Sequence, residues 1–166
     1  GSLCGNGSRC ALAFGVESGL IKNEVIFKAI DGVHKAKANS NNIFSLSIKN
    51  VKTIEHDDNA LFLDTGSPHY VELVESLDDI NVRAKGSLIR NGDRYKKEGV
   101  NVNFIEIIGP DHIKIRTYER GVEDETLSCG TGAVASSIAI HFLQLTKFNK
   151  LKVETPGGTL AVEFKF

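Results

Sequence analysis

Short apolar runs, several of which alternate with polar residues, dominate the chain and predict a protein built mainly of strands. Residues 25–30 and 33–36 flank Asp31-Gly32, a dipeptide that tolerates the positive φ of a type I′ turn, and they predict a β-hairpin. The polar residues 90–99 predict a solvated turn region. The other predicted strands are residues 43–51, 61–63, 100–108, 113–118, 151–154 and 160–166, the last two forming a second hairpin.

Two segments break this strand pattern and predict helices that are buried on all sides. Residues 10–16 carry no charge, and residues 133–146 carry none apart from the titratable His141. Each segment follows a Cys-Gly-x-Gly tetrapeptide, at residues 4–7 and 129–132. This weak repeat predicts an α/β (α+β) fold of two related lobes, each a strand-rich wrap around one central helix. The polar run His56-Asp57-Asp58-Asn59 sets the expected boundary, which gives lobes of residues 1–56 and 57–166.

The paired tetrapeptides favour acid–base chemistry at two thiols. A cysteine just before a helix lies at the positive end of the helix dipole, among unpaired N–H groups, which favours the thiolate. The glycines allow a ligand to approach closely, and a helix N-terminus suits a carboxylate. If Cys4 and Cys129 face each other across a cleft, one removes a proton from a carbon and the other returns a proton from the opposite side. These two proton transfers together invert the configuration of the carbon.

Polar residues elsewhere supply further candidates. Glu119 and Arg120 lie shortly before the second cysteine, and such a pair suits the ammonium and carboxylate groups of a substrate. Asn101 and Asn103 alternate within an apolar strand, so both side chains point to one face and could line a cleft together. His69 follows a strand in a turn, where a lone histidine is more often structural than catalytic.

Other uses of the cysteines are weaker interpretations. Cys10 lies within an apolar helical segment and is expected to be a small core residue. Its C-x₅-C spacing from Cys4 does not match structural zinc sites, and no metal site is predicted. Residues 5–10 miss the dinucleotide-binding fingerprint. A cysteine nucleophile paired with His69 lacks a third residue to orient it.

The composition mainly excludes whole classes of protein. The formal net charge is −1, from 20 Lys+Arg and 21 Asp+Glu, which argues against a nucleic-acid or membrane partner. No apolar run approaches the ~20 residues of a membrane-spanning helix. The 3 cysteines are too few for a disulfide scaffold and favour a reducing, cytoplasmic setting. The chain contains no Met, so we expect it to be part of a longer protein.

Six ordered motifs resemble those of the diaminopimelate epimerases, and the resemblance covers the whole chain. The motifs are Leu3-Cys4-Gly5-Asn6-Gly7-Ser8-Arg9-Cys10, Gly66-Ser67-Pro68-His69, Asn101-Val102-Asn103-Phe104, Glu119-Arg120-Gly121 with Glu125-Thr126, Cys129-Gly130-Thr131-Gly132-Ala133 and Thr155-Pro156-Gly157-Gly158. The resemblance implies two pseudo-symmetric lobes with the site between them. It also implies a cofactor-independent enzyme that interconverts LL- and meso-2,6-diaminopimelate, for lysine and peptidoglycan precursors, by a two-cysteine mechanism.

The same resemblance implies roles for single residues. Cys4 and Cys129 would be the acid–base pair, with His69 and Glu119 helping to set the protonation of the thiols and Glu125 in support. The substrate-binding residues would be Gly5, Asn6, Ser67, Asn101, Glu119, Arg120, Gly130 and Thr131. An amino-acid substrate is the expected partner, and a homodimer is one expected assembly.

The chain departs from the family pattern in places. Ser67 stands where the family commonly has Asn, which puts an amide contact from that position in doubt. The loop of residues 122–125 is longer by a residue than the common form, and we favour Glu125 for the usual acidic position over Glu123 and Asp124. The family carries residues before the first cysteine motif and a final strand after Phe166. We therefore expect an incomplete first lobe and little or no activity from these residues alone.

Three other functions stay open at this point. A proline or hydroxyproline racemase would share the two-cysteine logic, but those enzymes characteristically carry His where this chain has Asn6. A thiol switch would use a reversible disulfide between Cys4 and Cys129. An inert structural domain is the third alternative.

Overall fold

The computed structural model describes residues 2–40 and 42–166, which form two compact units that divide between Asn50 and Val51. The sequence placed the boundary after His56, inside a β-hairpin of the second unit. The strand that contains His56 pairs antiparallel with the next strand, and this pairing places the division before the hairpin. Within the described residues, no helix is both long and apolar enough to cross a membrane.

The first unit consists of one helix and a three-stranded sheet. Helix α1 (Gly5–Glu17) is followed by strands β1 (Glu24–Ala29), β2 (Gly32–Ala38) and β3 (Phe44–Leu46), in the sheet order β1-β2-β3. The predicted hairpin is confirmed, but its loop residues are Ile30 and Asp31, because Gly32 already pairs with Ala29. The predicted strand at residues 43–51 is shortened to β3, since the chain from 47 to 53 forms no strand.

Helix α1 packs against β2 and β3 along one face only. Its buried residues are Gly5, Leu12 and Gly15, whereas Phe14 and Cys10 are exposed. The prediction that this helix is buried on all sides is therefore wrong for the described residues, and so is the prediction that Cys10 is a core residue. An absence of charge in a short segment does not by itself supply a partner for every face.

The second unit is a large mixed sheet with two helices. Its elements are β4 (Ile54–Asp57), β5 (Ala60–Asp64), β6 (Pro68–Leu73), α2 (Val82–Arg90), β7 (Asn101–Gly109), β8 (His112–Glu119), β9 (Asp124–Thr126), α3 (Gly130–Phe142), β10 (Lys150–Thr155) and β11 (Gly158–Glu163). The strand order is β11-β10-β8-β7-β6-β5-β4, and β9 pairs with β8. The β6–β7 and β8–β10 pairs are parallel, and the other pairs are antiparallel.

The two faces of this sheet bury different cores, as the alternation along β7 shows. Ile105 packs in the core that includes Ala133, Ala135 and Ile140 of α3. Val102 and Phe104 of the same strand pack in a second core, which includes Val82 of α2. The residues that α3 buries are Thr131, Gly132, Ala133, Ala135, Ser136, Ser137, Ala139 and Ile140, which confirms the prediction of a central buried helix in this unit. The mixed α+β class is confirmed as well.

Candidate active site

Cys129 occupies the N-cap position of α3 and thus stands where the helix presents its free N–H groups. The cysteine is buried, and its Sγ lies 3.5 Å from the hydroxyl Oγ1 of Thr131. Gly130 and Thr131 are the first two residues of the helix, so their backbone N–H groups are among those that the helix leaves unpaired. The local geometry is therefore that of a sulfur at a helix N-terminus.

A buried polar network lies on the same face of the sheet as α3, and two asparagines of β7 organise it. Asn103 Nδ2 donates to the carbonyl of Tyr70 at 2.9 Å and faces His69 Nδ1 at 3.0 Å, while its Oδ1 accepts from Thr117 Oγ1 at 3.0 Å. The side chain of Asn103 is completely buried, so these bonds replace the water it gives up on folding.

Asn101 joins three segments of the chain. Its Nδ2 donates to Ser67 Oγ at 2.7 Å and to the carbonyl of Pro68 at 3.1 Å. Its Oδ1 accepts from the backbone N–H of Arg120 at 2.9 Å. Asn101 and Asn103 thus lie on one face of β7, as predicted, and Ser67 takes part through its hydroxyl.

His69 is fully buried and neutral. Burial, and then the positive charge of Arg120, lower the pKa of His69 from 6.5 to about 3. Because the Asn103 amide donates to Nδ1, the ring proton is assigned to Nε2. Nε2 has no hydrogen-bond partner among the described residues, so His69 offers one buried N–H donor.

This lowered pKa predicts a pH-dependent stability. The unfolded state binds a proton near pH 6.5 and the folded state only near pH 3, so His69 stabilises the fold above pH 6.5 and loses that contribution as the pH falls. We expect the free energy of unfolding to fall by up to about 1.4 kcal/mol per pH unit between pH 6 and 4. His69→Gln should remove the part of the slope that His69 contributes.

Urea titrations at pH 7, 6, 5 and 4 measure the effect. His56→Gln is the matched control, because His56 is exposed and its variant should keep the wild-type slope. Parallel curves for wild type and His69→Gln would contradict a neutral, buried His69.

A glycine lets this network approach α3 closely. A β-carbon on Gly132 would lie 2.4 Å from Asn103 Oδ1 and 3.3 Å from Cys129 Sγ. Thr65, also fully buried, directs its hydroxyl to the Thr131 carbonyl at 3.4 Å. The start of α3 therefore forms a hydrogen bond with the β5–β6 turn and packs closely against β7.

Glu119 and Arg120 lie where β8 runs into the turn before β9. Glu119 Oε1 accepts from Thr126 Oγ1 at 2.5 Å. Arg120 joins the network through its backbone N–H, whereas its Nη1 donates to the carbonyl of Glu98 at 2.8 Å. Both side chains are half-buried.

Each acidic residue in the loop after Arg120 pairs with a different arginine. Glu125 forms a two-pronged pair with Arg116, whose Nε and Nη2 lie 2.7 and 2.8 Å from the carboxylate oxygens. Glu123 pairs with Arg90, and Asp124 lies 3.7 Å from Arg83. The structure thus places Glu125 with Arg116 and not with His69 or the asparagines.

The first unit also has a cysteine at a helix N-cap, with a similar backbone conformation but a different side-chain environment. Cys4 is the N-cap of α1 with φ −95° and ψ 106°, close to the −120° and 107° of Cys129. Its exposed Sγ accepts from the backbone N–H of Gly7 at 3.3 Å. Gly5 opens the helix, and the side-chain oxygen of Asn6 accepts from Arg9 Nη2 at 2.5 Å.

Metal-ligating residues do not cluster in the part of the chain that the structure describes, where no group of three or more His, Cys, Asp or Glu side chains could hold an ion.

Comparison with known proteins identifies the relatives of this chain. A family model described as "Diaminopimelate epimerase" matches residues 61–165. The chain belongs to the diaminopimelate epimerase family. A diaminopimelate epimerase of Flavobacterium psychrophilum is 47% identical over 163 residues, which cover 98% of this chain and 64% of that protein. One of Aquifex aeolicus is 40% identical and covers 98% of this chain and 62% of its own length.

The chain therefore spans less than two thirds of the length of these two diaminopimelate epimerases. Solved structures support the fold. A probable proline racemase from Agrobacterium radiobacter K84 aligns with a TM-score of 0.70 at 17% identity, over 99% of this chain and 60% of its own. A hydroxyproline epimerase from Agrobacterium vitis aligns with a TM-score of 0.66 at 17% identity, over 96% and 57%.

Sequence reasoning left several parts of this diaminopimelate epimerase-family site unassigned. Thr117 and Thr65 were given no role. Asn103 was expected to line a cleft and Gly132 to let a ligand approach, whereas the structure buries the Asn103 side chain and places it directly against Gly132. The alternation of Asn101 with Asn103 was a usable signal for a polar face, but the opposite position of Thr117 depends on the β7–β8 register. The demand for glycine at 132 comes from a contact with a strand far away in sequence.

Proposed function

We propose that this protein is a diaminopimelate epimerase that interconverts LL- and meso-2,6-diaminopimelate without a cofactor. The observation that carries the proposal is the repeated N-cap cysteine. Each unit independently opens a helix with Cys-Gly-x-Gly, and both cysteines have nearly the same backbone conformation. An enzyme that must treat two faces of one carbon alike needs such a duplicated device.

In the proposed mechanism, Cys4 and Cys129 share the proton transfer. The thiolate of one removes the α-proton from the substrate, and the thiol of the other gives its proton to the opposite face, so the carbon is inverted and the two sulfurs exchange protonation states. The α-proton of an amino acid is weakly acidic, so fixed dipoles must stabilise the carbanion-like transition state. The N–H groups of Gly5, Asn6, Gly130 and Thr131 lie at the two helix N-termini and would bind the substrate carboxylate.

The remaining residues would hold the rest of the substrate. Glu119 would bind an ammonium group and Arg120 a carboxylate, while Asn101 and Ser67 fix the strand ends beside them. His69 would contribute the Nε2–H donor and not a titrating group, because its pKa of about 3 keeps it neutral near pH 7. Glu125 would support the site indirectly through Arg116.

Diaminopimelate is favoured over proline as the substrate. Asn6 follows Cys4-Gly5, where proline racemases characteristically carry His, and the protein of Flavobacterium psychrophilum that is 47% identical is named a diaminopimelate epimerase. Two exposed cysteines fit a reducing compartment, and we place the reaction in the cytoplasm. A homodimer stays a prediction, which light scattering would check.

Exchange of the α-proton tests the proposal. The complete gene product is incubated with LL-diaminopimelate in D₂O, and the α-proton signal is followed by NMR, with L-proline in a parallel sample. We expect the signal to disappear with diaminopimelate only and the meso isomer to form. Exchange with proline alone would assign a racemase, and silence with both substrates from folded, reduced protein would contradict an isomerase and favour a redox or binding role.

A further inference from the structure

The side chains of two arginines, Arg90 and Arg120, pack against one glycine, Gly99. A β-carbon on Gly99 would lie 2.6 Å from Arg120 Cδ and 2.9 Å from Arg90 Cζ. Both arginine side chains therefore rest on the α-carbon of Gly99, which is buried and has a φ of +75°. The guanidinium carbon of Arg90 and the aliphatic stem of Arg120 therefore pack on the same residue, and the two positive charges of these neighbouring side chains repel each other unless one is compensated.

Arg90 is the one that is compensated. Its Nε lies 3.2 Å from Glu123 Oε1, whereas Arg120 Nη1 donates to a neutral carbonyl, that of Glu98, at 2.8 Å. The Arg90 side chain is largely buried, so its charge would be costly without the carboxylate. The ion pair with Glu123 therefore neutralises Arg90, the neighbour that would otherwise repel Arg120.

Glu123 also closes the turn that carries Glu119 and Arg120. Its Oε1 accepts from the backbone N–H of Gly121 at 3.0 Å, and its Oε2 accepts from Tyr118 Oη at 3.2 Å. Its own N–H donates to the Glu119 carbonyl at 2.8 Å. The Gly121 bond, and then Arg90, lower the pKa of the Glu123 carboxyl, so it is ionised at neutral pH. This is the loop that is longer by a residue than the common family form.

We propose that Glu123 is a positioning residue for substrate binding, which pairs with Arg90 and closes the hairpin so that the neighbouring Arg120 is held to bind a substrate carboxylate. The inference rests on the proposed function, in which Arg120 contacts the substrate. The inference goes beyond the proposed function because it assigns a role to Glu123, a residue that does not touch the substrate. Either partner left alone would disturb Arg120, because an unpaired Arg90 would repel its guanidinium and an unpaired Glu123 would attract it.

A double-mutant cycle in the complete gene product tests the pairing. Glu123→Gln removes the charge but keeps an oxygen that can accept from Gly121. We expect Glu123→Gln and Arg90→Gln each to raise KM for diaminopimelate three- to tenfold, with kcat changed less than twofold. The variant that carries both substitutions should return to within twofold of the wild-type KM. Asp93→Asn, which breaks an exposed ion pair with Lys96, is the control and should leave both constants unchanged.

A second measurement does not depend on turnover. The Arg120 Nε–H signal, identified in ¹⁵N spectra by its loss in Arg120→Lys, should shift or broaden in Glu123→Gln and recover in the double variant. An unchanged KM in Glu123→Gln, or a raised KM that the double variant fails to restore, would overturn the inference while wild-type activity upholds the proposed function. If the wild type shows no exchange, the proposed function fails, and the Arg120 signal alone decides whether Glu123 positions this side chain.

Discussion

Under the proposed two-cysteine mechanism, Cys129→Ala in the complete gene product is expected to lower the rate of conversion of LL- to meso-diaminopimelate by about 10³-fold, the scale of a lost general acid or base. Cys129 is the N-cap of α3, and alanine at that position has no group that can carry the proton. Cys4→Ala should cause a loss of the same order, because inversion needs a proton removed from one face and another delivered to the opposite face. Chiral chromatography of the products measures the inversion.

Exchange and inversion separate the two roles. In a variant that keeps only one thiol, that thiol can still remove the α-proton of one isomer and return deuterium to the same side of the carbon. Some solvent exchange should therefore remain when inversion is lost. Which isomer exchanges should differ between Cys4→Ala and Cys129→Ala. Cys10→Ala is the matched control, since Cys10 is exposed on α1 and has no role in the mechanism. Full inversion by either single variant would contradict the two-base mechanism.

The strands that sequence reasoning predicted well were those with local signals. The hairpins β1–β2 and β10–β11 are each marked by turn residues between apolar runs, and α3 is marked by an uncharged run after Cys-Gly-x-Gly. Helix α2 was missed because it is short and contains Gly86, a residue that weakens helices. That glycine is required by packing, since a β-carbon there would lie 2.4 Å from Tyr118 Cβ.

Strand β6 was missed for a related reason. Its first residue is Pro68, and the tetrapeptide Gly66-Ser67-Pro68-His69 reads as a turn. Proline is tolerated at the first position of a strand, where no ladder hydrogen bond from its nitrogen is needed. The parallel pairing of β6 with β7 places His69 beside Asn101, and no local pattern could indicate that neighbour.

In the candidate site, too, the features with local sequence signals could be predicted and the contacts between distant segments could not. Cysteines at helix starts can be predicted from adjacent residues, and the structure places both as N-caps. The pairing of Glu125 with Arg116 could not be predicted, because it depends on how β8 and β9 pair. Arg116 also donates to the carbonyls of Leu77 and Ile80, which are distant in sequence. Side-chain exposure on α1 was misjudged because charge content says nothing about which faces have neighbours.

Gly132→Ala is expected to lower the free energy of unfolding by about 3 kcal/mol, the upper end of what overpacking costs. Its β-carbon would lie 2.4 Å from Asn103 Oδ1, and Asn103 cannot move aside without losing its bonds to Tyr70, His69 and Thr117. Urea unfolding followed by circular dichroism measures the loss, and hydrogen exchange should show faster opening of α3 than in wild type.

The repeat supplies the control for this experiment, because Gly7 holds the same place in Cys4-Gly5-Asn6-Gly7 that Gly132 holds in the second tetrapeptide. A β-carbon on Gly7 would lie 3.5 Å from Cys4 Sγ and 3.7 Å from Cys4 Cβ, which are ordinary contacts. Since alanine is the better helix former by up to about 1 kcal/mol, Gly7→Ala should leave stability unchanged or raise it. Equal losses in the two variants would mean that the tetrapeptide itself demands its last glycine. Unequal losses would mean that only the second glycine is required, by the asparagine that packs against it.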